Sequence, residues 1–201
     1  MIEFLTLVAA TVSPVIEFRG VPLGITLLDF KSRPSLDGSI GSLCSDTSHG
    51  SWVDTNRNRQ KAGEVVCAYA RFDAWGDFTG NMIEDWELPI PLSPSINVTA
   101  RFFFYNSRLY QIKVEGPGSS FDTISEALVS KYGKPKVERI YMGALASSWK
   151  INSVKINVCC GNYSQYNPVG ISYIDVEVAS QLDVAEKKVE AEEKIANEPV
   201  L

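Results

Sequence analysis

The chain has 201 residues, 45% of them hydrophobic and 21% charged, with a formal net charge of −5. That length and balance suffice for one buried core. The acidic excess excludes a general nucleic-acid binder, which needs a cationic surface to release counterions, and much of it comes from six acids against three lysines between Asp183 and Glu198.

Residues 1–12, MIEFLTLVAATV, carry the apolar run of a secretory signal, with Val8 and Ala10 as the small residues before a cut after Ala10. They lack the leading Lys or Arg and place Glu3 where positive charge belongs, so the stretch reads as a signal peptide or as a first buried strand. The run is far shorter than the ~20 residues that span a bilayer, and no later stretch reaches that length. Val15 to Arg19 reads as a short strand. In GVPLGITLLDFKSRP, Thr26 caps a helix with Asp29 at its third position, and Pro34 ends it. Residues 35–64 are polar and turn-rich, which predicts one long loop or two, and they hold His49, the only histidine. Val65 to Phe72 predicts a strand. DAWGDFTGNMIEDWEL follows as a loop with Trp75, Phe78 and Trp86, and the prolines of LPIPLSP suit an edge or a connector.

Val98 to Tyr105 and Leu109 to Val114 predict a β-hairpin around Asn106-Ser107. In its second arm, alternation sends Leu109, Gln111, Lys113 and Glu115 toward water and Tyr110, Ile112 and Val114 toward a core. Gly116-Pro117-Gly118 breaks the strand. Ser119 or Ser120 then caps a helix with an apolar stripe of Phe121, Ile124, Leu128 and Tyr132, stopped by Gly133 and Pro135. Val137 to Tyr141, Ser147 to Ile151 and Val154 to Val158 predict strands, the last two joined by Asn152-Ser153. The match between FFFYNSRLYQIKV and SSWKINSVKINV admits an ancient duplication, with chance recurrence of a common turn motif between strands as the plainer reading. GNYSQYNPVG is a loop and Gly170 to Val178 a closing strand. From Ala179 the composition turns to Ala, Glu and Lys, as in a solvated helix or tail whose stripe of Leu182, Ala185 and Val189 is too short for a coiled coil.

FRGVPLGITLLDF, joined by SFDTISEALVSKYGKP and a Trp-bearing strand pair, resembles a loose group of uncharacterised exported proteins, periplasmic or secreted, of Gram-negative bacteria. The resemblance covers about two thirds of the chain. It implies a location outside the cytoplasm and brings no activity with it.

The four cysteines, Cys44, Cys67, Cys159 and Cys160, are an even number suited to disulfides in an oxidising compartment. Cys44 with Cys67 is favoured, and one of Cys159 and Cys160 with the other unless they serve two separate bridges, since neighbours in a strand point to opposite faces. The spacing fits no zinc knuckle, so no metal is expected, and no cofactor. In CSDTSHGS, Cys44, Ser48 or Ser51 is a candidate nucleophile, His49 a base and Asp46 its orienter. An exposed loop is the plainer reading, because catalytic groups usually converge from separate elements. Asp73 with Asp77, or Glu84 with Asp85, are paired acids that read as surface charge. Trp75, Phe78 and Trp86 are the candidate binding residues, with core packing as the competing role for the tryptophans. Arg57, Arg59 and Lys61 form a small basic cluster that reads as a solvated loop.

The expectation is a single α+β domain from 15 to 178, an antiparallel sheet of roughly five to seven strands with two short helices on one face. Residues 179–201 form a charged helix or tail outside it. The leading functional reading is an exported, non-enzymatic binding or envelope-associated module acting through loops 35–64 and 73–87. Its partner is a protein or a small ligand, not nucleic acid, and it has no transmembrane segment. A hydrolase using the Cys44 to Ser51 loop is one alternative. An intracellular or phage-type protein-interaction protein is the other.

Overall fold

The computed structural model describes residues 15–18, 20–33, 40–48, 53, 55–72, 78–82, 98–139, 145–159 and 169–196. The expectations for residues 1–12 and for the proline-rich stretch after Trp86 lie outside these residues. The elements in chain order are β1 (Glu17–Phe18), β2 (Val21–Pro22), α1 (Leu27–Lys31), β3 (Ile40–Cys44), α2 (Arg57–Lys61), β4 (Val65–Phe72), β5 (Phe78–Met82), β6 (Thr99–Tyr105), β7 (Arg108–Gly116), α3 (Phe121–Tyr132), β8 (Lys136–Arg139), β9 (Leu145–Ile151), β10 (Val154–Cys159), β11 (Val169–Asp175) and α4 (Val176–Ala196).

The fold is α+β, built on an antiparallel sheet larger than its sequence predicts. Nine strands join it, eight of them in the order β3-β4-β6-β7-β11-β10-β9-β8, with β5 paired to β4 beyond the end of β6. The shortfall has a local cause. β3 lies inside the polar stretch read as loop, and its Gly41 and Ser42 hide a strand whose ladder with β4 runs from Ile40↔Arg71 to Cys44↔Cys67. α2 lies in the same stretch, started by Asn56, whose side chain accepts from the amides of Asn58 and Arg59.

Across the sheet the second half repeats the first in reverse. Helix α1 precedes the meander β3-β4-β6-β7, helix α3 precedes the meander β8-β9-β10-β11, and the two fourth strands pair along the middle, from Val169↔Gly116 to Ile174↔Gln111. The two Asn-Ser hairpins are therefore not equivalent copies: β6-β7 closes the first meander, whereas β9-β10 is the middle of the second. Their shared turn has a simpler origin. Asn106 and Ser107 take φ of 50° and 60°, and Asn152 takes 54°. A two-residue turn between twisted strands needs that left-handed backbone, and Asn tolerates it.

Both sequence-predicted helices lie on one face. Thr26 caps α1, its hydroxyl accepting from the Asp29 amide at 3.0 Å. A turn of 3-10 helix, Gly118–Ser120, leads into α3 without a side-chain cap, and Gly133, at φ 80°, ends it. α3 buries Phe121, Ile124 and Leu128, and α1 buries Phe30. With the β1-β2 hairpin they cover a core in which Phe30 meets Phe102 at 4.8 Å and Phe104 at 5.2 Å between ring centroids. Trp149 belongs to the same core and donates its indole N–H to the Gly133 carbonyl at 2.7 Å, tying the helix stop to β9.

The opposite face carries a second, smaller core of Leu43, Val53, Val66, Ala70, Phe103, Tyr110 and Leu182. Here three expectations fail. The closing strand stops at Asp175, Val176 to Val178 open a 21-residue helix instead, and that helix runs on through the charged stretch beyond residue 179 with its Leu182 fully buried against the sheet. The alternation in β7 is also broken by a bulge. Phe103 faces Gln111 and Phe104 faces Leu109, so Tyr110 is an extra residue. Leu109 turns into the first core with Ile112 and Val114, while Tyr110 joins the second.

Candidate functional site

The second face gathers most of the buried polar groups. Gly63, at φ +98°, turns the chain sharply after α2 and sets Glu64 just ahead of β4. Glu64 is only 3% exposed. Its carboxylate accepts a 2.5 Å hydrogen bond from the hydroxyl of Tyr110, which the bulge has turned to this side. Burial pushes the Glu64 carboxyl above its usual range, while the Tyr110 bond and the Arg59 guanidinium 3.9 Å away hold it back. The Tyr110 hydroxyl is itself driven far up by burial and by the carboxylate it meets.

Arg59 links this pair to α4. Its Nη2 donates to Asp183 at 2.6 Å and its Nε to Glu186 at 2.9 Å. Further along, the Asn58 amide reaches Glu190 at 3.3 Å and Lys61 pairs with Glu193. The acids 183, 186, 190 and 193 recur at helical spacing, so one face of α4 lies along α2 through polar contacts and reaches the sheet through Leu182.

Between this cover and the sheet opens a cleft of ≈ 600 Å³. Its floor is Arg101 and Phe103 of β6 with Gln111 and Lys113 of β7, and Arg59, Glu64 and Asp183 line its side. Lys113 carries its ammonium over the Phe103 ring, 5.0 Å from the centroid. The floor is rigid because it is the middle of the sheet. The arrangement can hold a polar or anionic group against Lys113 and Gln111. Glu64 is a proton-holding group in principle, but its carboxylate is already occupied by Tyr110 and faced by Arg59.

Of the candidate catalytic loop, the structure describes Cys44, Asp46 and Ser48. Cys44 and Cys67, opposite each other on β3 and β4, form a disulfide, and both are completely buried. No thiol remains at Cys44 to act as a nucleophile. Asp46 accepts two 2.8 Å hydrogen bonds from Lys31, so its carboxylate serves an ion pair with α1. Ser48 is exposed in the turn. His49 and Ser51 lie outside the described residues. Phe78, expected in a loop, instead opens the strand β5, opposite Phe72 of β4, whereas Trp75, Trp86 and the paired acids lie outside the described residues. Cys159 is disulfide-bonded; Cys160 is outside the described residues. Among the described residues, no group of three His, Cys, Asp or Glu is placed to hold a metal ion, and no helix is long and apolar enough to cross a membrane.

The cleft residues were legible only in fragments. Arg59 stood out in the basic cluster with Arg57 and Lys61, and the run from Asn56 to Gly63 has the cap and stop of a short helix. Tyr110, Gln111 and Lys113 read as ordinary strand positions. An acid directly before an apolar strand, as in Glu64-Val65-Val66, is the remaining trace.

Comparison with family models, with curated proteins and with solved structures finds no match to this chain. The fold and the cleft therefore define its class by themselves, an antiparallel α+β protein with one face closed by a core and the other partly open.

Proposed function

We propose that this protein is an exported, non-enzymatic binding module of the cell envelope that holds a polar, anionic ligand in the cleft between β6-β7 and the α2-α4 cover. The carrying observation is the cleft itself, ≈ 600 Å³ with Arg101, Gln111 and Lys113 on a sheet floor. Pockets of that size with a few convergent polar groups are where small ligands bind. The acids on its side are spent on structure, Glu64 on Tyr110 and Asp183 on Arg59. Export is supported by the Cys44–Cys67 disulfide, which persists in oxidising compartments, and by the signal-like composition of residues 1–12.

The test is a thermal-shift screen of the oxidised protein against small carboxylates, phosphates and sugar acids. At least one should raise the midpoint in a dose-dependent way, and Lys113→Glu should abolish that rise while leaving the unliganded midpoint nearly unchanged. A full response in Lys113→Glu would refute the cleft as the site. Turnover of a screened compound that disappears in Glu64→Gln would refute the non-enzymatic reading.

A further inference from the structure

The sheet face that holds the cleft does not end at α4. The registers carry one row of side chains straight across six strands: Arg101, Lys113, Ser172, Asn157, Ser148 and Lys136, on β6, β7, β11, β10, β9 and β8. Paired residues share a face, so all six belong to the side of Phe103 and Gln111. The flanking row toward α4 continues from Gln111 through Ile174 and Lys155 to Lys150. The flanking row on the other side is Thr99, Glu115, Gly170, Cys159, Ala146 and Glu138.

Five cations thus meet two acids, Glu115 and Glu138, on a chain whose net charge is −5. Glu138 is paired with Lys136 at 2.5 Å. Lys113, Lys136, Lys150 and Lys155 are all exposed. At the end away from the cleft a second hollow, ≈ 360 Å³, is lined by Lys136, Lys150, Lys155 and Ser148, together with Glu138 and apolar residues such as Val176. With neighbouring strands about 4.8 Å apart, the row from Arg101 to Lys136 is roughly 24 Å long. Cations stand at both ends. Between them are Ser172, Asn157 and Ser148, half-exposed, with the Asn157 amide donating to the Ser172 hydroxyl at 3.3 Å.

We propose that this face binds an acidic polysaccharide, a sugar chain bearing carboxylates, laid across the strands from the cleft to the second hollow. The proposal rests on the binding reading above and names its ligand class. Charge complementarity calls for an anion, and two cationic ends joined by small hydroxyl and amide groups call for one that is extended and rich in hydroxyls. Nucleic acid is disfavoured because the middle of the row has no aromatic side chain on which a base would stack. A membrane surface is disfavoured because the row itself, from Ser172 through Asn157 to Ser148, carries no large apolar side chain to enter the lipid.

The experiment is calorimetric titration of the oxidised protein with an oligogalacturonate long enough to cross the face, beside neutral dextran of similar size, single-stranded DNA and phosphatidylglycerol vesicles. The oligogalacturonate should bind saturably, weaken as salt rises, and lose at least about tenfold in affinity in the doubly substituted Lys150→Glu, Lys155→Glu protein. Both side chains are exposed, and an unchanged melting temperature verifies the fold of the variant. Equal affinity for dextran, or an unaffected double variant, overturns the proposal. Binding of DNA or vesicles without the oligogalacturonate also overturns it and reassigns the surface. If small anions still stabilise through Lys113 while the polymer does not bind, the extended surface fails and the cleft stands; if neither binds, both readings fail.

Discussion

The two faces of the sheet use the same strands for opposite purposes. On one, α1, α3 and the β1-β2 hairpin close a largely apolar core that includes Phe30, Phe102, Phe104, Ile112, Ile156 and Tyr173. On the other, α4 sends in one fully buried leucine, Leu182, with half-buried Val178 and Ala179 beside it, and is also held by Arg59, Asn58 and Lys61 of α2. Hydrophobic burial is strong and is not screened by salt, whereas exposed ion pairs are weak and screened. The first face therefore carries the stability and the second has room for a cleft.

Three perturbations sharpen this contrast. Phe102→Ala empties the centre of the aromatic cluster, where the ring touches both Phe30 and Tyr69. It should cost about 3–5 kcal/mol in chemical denaturation, lowering the stability of the whole domain. Leu182→Ala should cost about 2–3 kcal/mol, at the low end for a buried leucine because the site is at the margin of a small core. Hydrogen exchange should then show α4 losing protection while β7 and β11 keep theirs. Uniform loss across the sheet would mean that the second face is as integral as the first.

The smallest effect is the pH dependence of Glu64. Burial raises its folded pKa, so its contribution is most favourable when protonated and is lost as pH rises from the ordinary carboxylate range through the raised value. Glu64→Gln removes that dependence. The melting temperature of the variant should gain on the wild type as pH rises above about 4, then run parallel to it. The opposite slope would show that Tyr110 and Arg59 outweigh desolvation.

How much of this was legible depends on how local each determinant is. The hairpin at Asn106-Ser107, the Thr26 cap, the α3 stripe and the Gly133 stop are short-range signals, and each appears in the structure. β3 was missed because Gly41 and Ser42 carry no apolar alternation; its place is set by β4, across a gap of twenty residues. The face of Tyr110 was misread because one inserted residue reverses alternation, and nothing in the composition of β7 marks the bulge. Of the candidate catalytic loop, the Cys44–Cys67 bond removes the thiol nucleophile, while His49 and Ser51 lie outside the described residues.

By itself the sequence determined the class, an antiparallel α+β fold with two helices on one face. That follows from periodicity, capping and turn chemistry, which act over a few residues. Only the tertiary structure decided that α4 returns to the sheet, that Glu64, Tyr110 and Arg59 meet, and that lysines from β7, β8, β9 and β10 share a face with Arg101. Those are matters of strand order and register, set by the packing of segments up to a hundred or more residues apart, as Arg59 with Glu186 shows.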